Sequence, residues 1–204
     1  MRDRIACRAM IELDTGARRP TCARCQRPLR TCLCTWICPT DNRLPVLLLQ
    51  HPLEADQAKG SAALLRLSLQ QCRLETGEAF DPKTLAAWLG AGAALVYPDP
   101  GAPEATAPPQ RLVLLDGTWR KTRKLLHLNP LLLQLPRIAL AAPPPSLYTI
   151  RRAHRPQQRS TLEAACLALG AVEGRPAHYA PLLQAFDGWV RSQPRSSDAG
   201  FRPS

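Results

Sequence analysis

From Leu44 onward, short uninterrupted apolar runs alternate with stretches whose apolar residues recur every three or four positions. The first pattern marks buried strands and the second amphipathic helices. Val46-Leu-Leu-Leu49 reads as a strand closed by Gln50-His51-Pro52. Ser61–Gln71, with Leu64, Leu65, Leu67 and Leu69, reads as a helix, and Pro82–Leu89 with Trp88 as a shorter one. Ala94-Leu-Val-Tyr97 is a strand closed by Pro98, and a Pro/Ala loop follows at Gly101–Pro109. Leu112–Leu115 is the next strand and Thr118–Leu128 a basic helix. Arg137–Ala141 is a further strand before three prolines, Pro143–Pro145; Leu162–Val172 and Pro181–Arg191 are helical. Elements alternating in this way predict an α/β domain with a mostly parallel sheet, here over 44–192. The tail, 193–204, reads as disordered, and no internal repeat is visible.

Residues 1–43 break the rhythm. They are rich in Cys and Arg and have little apolar periodicity, so they read as an arm and small module that needs a staple. Cys22-x2-Cys25-x6-Cys32-x-Cys34 places four thiols within thirteen residues. Zinc takes four tetrahedral ligands in structural sites, and thiolates serve it well. A closed shell leaves no position for hydrolysis, so a structural zinc is expected, with Cys38 a substitute ligand. A redox Cys-x2-Cys is the alternative, but such motifs sit at a strand-to-helix junction, which this segment lacks. Cys7, Cys72 and Cys166 read as ordinary thiols. No secretory signal or spanning segment is legible, which points to a cytoplasmic protein. In that compartment eight cysteines favour metal or free thiols over disulfides.

The chain is 45% hydrophobic and carries a formal charge of +11, unevenly spread. Residues 111–159 hold ten Lys/Arg and a single acid, Asp116. Clustered positive charge is the footprint of a phosphate-backbone partner. Asp116 ends the apolar run before Gly117-Thr118-Trp119, then come Arg120, Lys121, Arg123 and Lys124. Ligands of open α/β sheets sit outside the carboxyl ends of the strands. Asp-Gly there can simply make a turn. With four cations on the next helix, however, Asp116 is expected to stay ionised and available, and Trp119 offers a flat face for a ring. A second cluster runs Tyr148-x-x-Arg151-Arg152, Arg155, Arg159, then Ser160-Thr161-Leu-Glu163. Ser160-x-x-Glu163 is a capping box, and a capped helix start also suits an anion. Arg151 could grip a carboxylate or phosphate in bidentate fashion. His51 and Glu54 could lie at the same sheet edge. Walker, Gly-x-Gly-x-x-Gly, Gly-x-Ser-x-Gly and His-Glu-x-x-His motifs are absent, which removes most support for nucleotide hydrolysis and dinucleotide binding.

Taken together these pieces resemble the DTW-domain family of tRNA-uridine aminocarboxypropyltransferases: the four-cysteine spacing, Leu115-Asp116-Gly117-Thr118-Trp119 with Arg123-Lys124, Tyr148-x-x-Arg151, and Ser160-Thr161-x-Glu163-Ala164. They occur in the family's order over about residues 20–190. The resemblance implies a knotted, SPOUT-like parallel sheet flanked by helices. It implies S-adenosylmethionine as co-substrate and transfer of its 3-amino-3-carboxypropyl group to N3 of a tRNA uridine; which uridine stays open, with the variable loop favoured over the D-loop. Asp116 is then the expected base. The expected pocket comprises Pro98, Leu115, Asp116, Gly117, Thr118, Trp119, Leu140, Tyr148, Arg151, Ser160, Thr161 and Glu163. Arg120, Lys121, Arg123, Lys124, Arg152 and Arg155 are the expected RNA contacts. The sequence departs from many relatives at Lys59-Gly60-Ser61-Ala62, where Ser61 could replace a hydroxyl. The same residues also suit a SPOUT-class RNA methyltransferase or a non-catalytic zinc-ribbon RNA-binding protein. Monomer and homodimer are both compatible with them.

Overall fold

Among the described residues, five strands form one sheet in which every pair is parallel, in the order β2-β1-β4-β3-β5. They are β1 (Val46–Gln50), β2 (Cys72–Thr76), β3 (Ala93–Val96), β4 (Arg111–Asp116) and β5 (Arg137–Ile138). The computed structural model describes residues 20–55, 57, 60–98, 105, 107–140 and 159–193. The helices are α1 (Pro52–Ala55), α2 (Ala62–Ser68), α3 (Pro82–Leu89), α4 (Trp119–Leu128), α5 (Pro130–Leu133), α6 (Thr161–Val172) and α7 (Ala180–Ser192). Among the described residues no helix is long and apolar enough to cross a membrane.

The central strands β1, β3 and β4 are apolar between their ends because both of their faces are covered. Val46, Leu48, Leu112 and Leu114 pack into one core layer with α2, α6 and α7. Leu47, Leu49, Val113 and Leu115 pack into the other, with α3, α4 and α5. The period of two therefore places Gln50 and Asp116, the last residues of β1 and β4, on the α6 side. These two residues are also direct partners in the sheet register.

Two expected boundaries are corrected. The helix expected to reach Gln71 stops at Ser68, where Leu69 becomes extended at ψ 137° and the chain re-enters the sheet as β2. The strand expected over 137–141 is only Arg137–Ile138. The Arg137 guanidinium donates to the carbonyls of Leu132 and Leu135, so this edge strand is pinned to the end of α5. The capping box at α6 forms as expected: the Ser160 hydroxyl accepts from the Glu163 amide, and Glu163 accepts from the Ser160 amide at 2.9 Å. The knotted path implied by the resemblance depends on 141–158, which lies outside the described residues. So do the expected arm at 1–19, most of the loop at 101–109, and the tail beyond Gln193.

The cysteine segment is joined closely to the sheet domain. Leu33 is fully buried in the core layer of α6 and α7. The Arg27 guanidinium lies 5.7 Å over the Trp189 ring and donates to the Gly60 carbonyl at 2.9 Å. Gly188 on α7 faces the Trp36 ring so closely that a Cβ there would run into it.

Candidate functional site

In the strand order, the connection from β1 leads to one side of the sheet and that from β4 to the other. The crevice between their carboxyl ends is the topological switch point, where open α/β sheets bind ligands. Asp116 stands there, 7% exposed. Its Oδ2 accepts from Gln50 Nε2 at 2.8 Å, and its Oδ1 accepts from Thr161 Oγ1 at 2.6 Å. Thr161 opens α6, so the first turn of that helix is anchored directly on the β4 carboxylate. Held by a donor on each oxygen, the carboxylate has a fixed orientation, and a carboxylate oxygen can accept more than one hydrogen bond.

A second network braces the loops around this centre. The His51 amide donates to the Asp116 carbonyl, and the His51 ring Nδ1 accepts from the Leu53 amide at 3.2 Å. Nδ1 must then carry a lone pair, which leaves Nε2–H to donate to Glu78 at 2.8 Å. Glu78 also pairs with Lys124 at 2.5 Å, and the Lys124 ammonium holds its carboxyl below the usual range. Buried Glu54 pairs with Lys121 at 2.9 Å. Two of the four cations expected to face Asp116 or RNA are thus tied to other carboxylates, whereas Arg120 and Arg123 are exposed.

Other expected site residues distribute as follows. Trp119 is 41% exposed and meets Tyr97 edge-on at 5.5 Å, with Pro98 exposed beside it at the end of β3. Gly117 and Thr118 form the turn into α4. The Leu115 side chain packs behind the sheet, in the layer opposite Asp116. Leu140 packs against the α6-side core. Ser160 and Glu163 are buried in the capping box. Because the Glu163 carboxylate already fills the amino end of α6, that end offers less to a further anion. Ser61 is buried before α2 but makes no side-chain cap. Tyr148, Arg151, Arg152, Arg155 and Lys59 lie outside the described residues. An open cleft of about 350 Å³ opens at the opposite, amino end of the strands, lined by Val46, Cys72, Arg73, Trp88 and Arg111 among others. It contains none of the switch-point residues.

Gln50 and Glu78 are the residues that sequence reasoning missed here. The signal for Gln50 was present: it is the one polar residue closing an apolar strand, as Asp116 is in β4.

The cysteine sulfurs of Cys22, Cys25, Cys32 and Cys34 all lie within 4.8 Å of one another. Cys22 to Cys34 is 3.6 Å and Cys25 to Cys32 is 3.8 Å. These are too long for disulfides. A tetrahedron of Zn–S bonds near 2.3 Å has edges of about 3.8 Å, so the donor set fits that ion. The turn that builds it is closed by the Gln26 amide on the Cys22 carbonyl at 2.8 Å, with Gln26 in the left-handed region at φ 58°. The backbone amide of Cys25 draws the Cys22 thiol down to about 6, whereas burial pushes Cys32 up to about 11.

Fold and site together define an α/β protein with a carboxylate at the switch point of a parallel sheet and a four-cysteine cluster whose donor set fits a metal ion. The DTW domain model matches residues 19–194, and the chain belongs to that family. It is 28% identical over 178 residues to a Macaca fascicularis protein named tRNA-uridine aminocarboxypropyltransferase 2, covering 80% of this chain and 60% of that one. The Mus musculus protein of the same name is 27% identical over the same shares. The Drosophila melanogaster one is 31% identical over 189 residues, 81% of this chain and 72% of its own. The chain spans about 60% of the length of the two mammalian relatives. No solved structure matches it.

Proposed function

We propose that this protein transfers the 3-amino-3-carboxypropyl group of S-adenosylmethionine to N3 of a tRNA uridine. The observation that carries the reading is Asp116, fixed between Gln50 and Thr161 at the switch point of a chain in this family. The names of the relatives supply the reaction class.

Uridine N3 is a poor nucleophile while it holds its proton. Asp116 accepts that proton as the nitrogen lone pair forms the new N–C bond. The sulfonium–carbon bond breaks, its electron pair returns to sulfur, and neutral methylthioadenosine leaves. The proton then passes from Asp116 to water. All three carbons on a sulfonium are electrophilic, so the pocket selects the aminocarboxypropyl carbon by what it presents to N3. Trp119 and Tyr97 offer ring faces at the crevice mouth. With Glu163 seated at the start of α6, we assign the donor's carboxylate to Arg151. Arg120 and Arg123 take phosphates, with Arg152 and Arg155 as their expected continuation along the backbone. On this reading residues 1–43 are the arm and structural zinc module, and 44–192 the catalytic domain.

The test uses purified protein, unmodified tRNA and S-adenosylmethionine labelled either in its carboxyl or in its methyl carbon. Label should enter a uridine from the carboxyl-labelled donor alone, with methylthioadenosine released. Entry of methyl label, with S-adenosylhomocysteine as product, would make the protein a methyltransferase. Asp116→Asn should fold and bind tRNA but lose at least about 100-fold in single-turnover rate, the lower range for removing a general base. Normal turnover by that variant would remove Asp116 from the mechanism.

A further inference from the structure

An ionised carboxylate has no hydrogen to give, so the Gln50 amide must turn its nitrogen, not its oxygen, towards Asp116. One N–H of Nε2 is used at 2.8 Å, and Gln50 Oε1 is 3.5 Å from Thr76 Oγ1. No second acceptor faces Nε2 among the described residues, and Gln50 is 5% exposed. A planar amide sends its second N–H in a different direction from the first. The switch point therefore presents a donor, Gln50 N–H, directly beside an acceptor, Asp116. Thr161 adds no donor because its single hydroxyl hydrogen is spent on Asp116 Oδ1.

This donor–acceptor pair has a defined complement. On the pairing edge of uracil a ring N–H lies between two carbonyl oxygens, so each neighbouring pair is donor beside acceptor. Cytosine has an exocyclic amine donor and an unprotonated ring N3. Set against the same two groups, cytosine would have to put its amine on Asp116 and leave N3 on Gln50. The reacting atom would then stand opposite the wrong residue, with no proton to remove. Resting on the functional reading above, we propose that Gln50 is the base-recognition residue: its second N–H binds a carbonyl oxygen of uracil while Asp116 takes N3–H. Gln50 thereby selects uracil and delivers N3 to the base in one arrangement.

The test is a comparison of kcat/KM for two proteins on three substrates. Wild type and Gln50→Met, which keeps length and volume but has no N–H, act on RNA carrying uridine or a thiouridine at the modified position. Sulfur replaces O2 in one substrate and O4 in the other, since a thiocarbonyl is the weaker acceptor. Wild type should lose roughly 3- to 10-fold on one of the two thio substrates, the value of one hydrogen bond. Gln50→Met, already slower on uridine, should show no added loss on that substrate. The loss should fall in KM as well as kcat, which a purely structural role would not tie to one oxygen. Should Gln50→Met fail to fold by thermal melting, Gln50→Asn, which withdraws the amide by one methylene, replaces it. Equal thio penalties in wild type and variant, for both oxygens, overturn the recognition role and leave the transferase reading standing. No transfer by wild type to any substrate overturns both.

Discussion

A carboxylate that only made the Asp-Gly turn would face solvent or cap the next helix, and Asp116 does neither. Helix α4 begins without a side-chain cap from Thr118, and the Asp116 oxygens go instead to β1 and α6. Thr161→Val keeps the β-branched shape and removes the hydrogen on Oδ1. A hydrogen bond to a charged group contributes about 1.5–3 kcal/mol. If it holds the base in position, single-turnover rate should fall roughly 10- to 100-fold, with tRNA affinity little changed and the melting temperature lowered by roughly 3–12 °C. An unchanged rate would reduce Thr161 to a helix-start residue. The acid was legible because it was alone among cations, and Thr161 stood in the expected pocket. Gln50 was passed over, because a polar residue closing an apolar strand is a weak signal with no charge or motif behind it. Only the register of β1 against β4, which is non-local, brings it opposite Asp116.

Among the helices, α4 looked in sequence like one undivided basic face, and the structure splits it. Lys121 and Lys124 brace Glu54 and Glu78, while Arg120 and Arg123 stand exposed. The two pairs should therefore respond differently to neutralisation. Replacing Arg120 and Arg123 by Gln should weaken tRNA binding and lower the slope of log affinity against log salt by about one per lost phosphate contact. Melting temperature should hold. Lys121→Met should do the reverse: it removes a cation 2.9 Å from the buried Glu54 carboxylate and should lower the melting temperature while tRNA binding holds. Glu78 gives this brace a pH dependence. Its folded value lies below the usual 4.5, so its contribution is complete above 4.5 and is lost as pH falls through the folded value. Wild type and Glu78→Gln should therefore differ in melting temperature at pH 7 and converge as the pH falls below 4.5 and through the folded value. The long apolar strands and the capped helix were legible for the same reason: each carries its signal locally. Strand β2 was not, because Cys72–Thr76 is a half-exposed edge strand with no apolar run. Helix α5 was too short to show a period.

How the cysteine module serves the rest of the protein turns on long-range contacts, since its ligands are remote in sequence from Asp116. The bonds that hold it are specific. Leu33 enters the α6–α7 core, Trp36 lies on Gly188, and Arg27 reaches Gly60 in the segment leading to α2. Helix α6, which shares that core, carries Thr161 at its first position. Ordering of the module should thus support the element that anchors the base. A ligand that binds only the folded form, present at about a thousandfold excess over its Kd, adds about 4 kcal/mol. For a domain of this size that corresponds to a melting shift of roughly 8–16 °C. Purified protein should contain one zinc per chain. Cys25→Ser, or a strong chelator, should release it and lower the melting temperature by that amount. Gly188→Val, which pushes Trp36 off α7 without touching a sulfur, should keep zinc yet lower both melting temperature and transfer rate. If Gly188→Val instead keeps full activity while undocking the module, α6 is positioned without it, and the module's role is confined to its own fold or to tRNA.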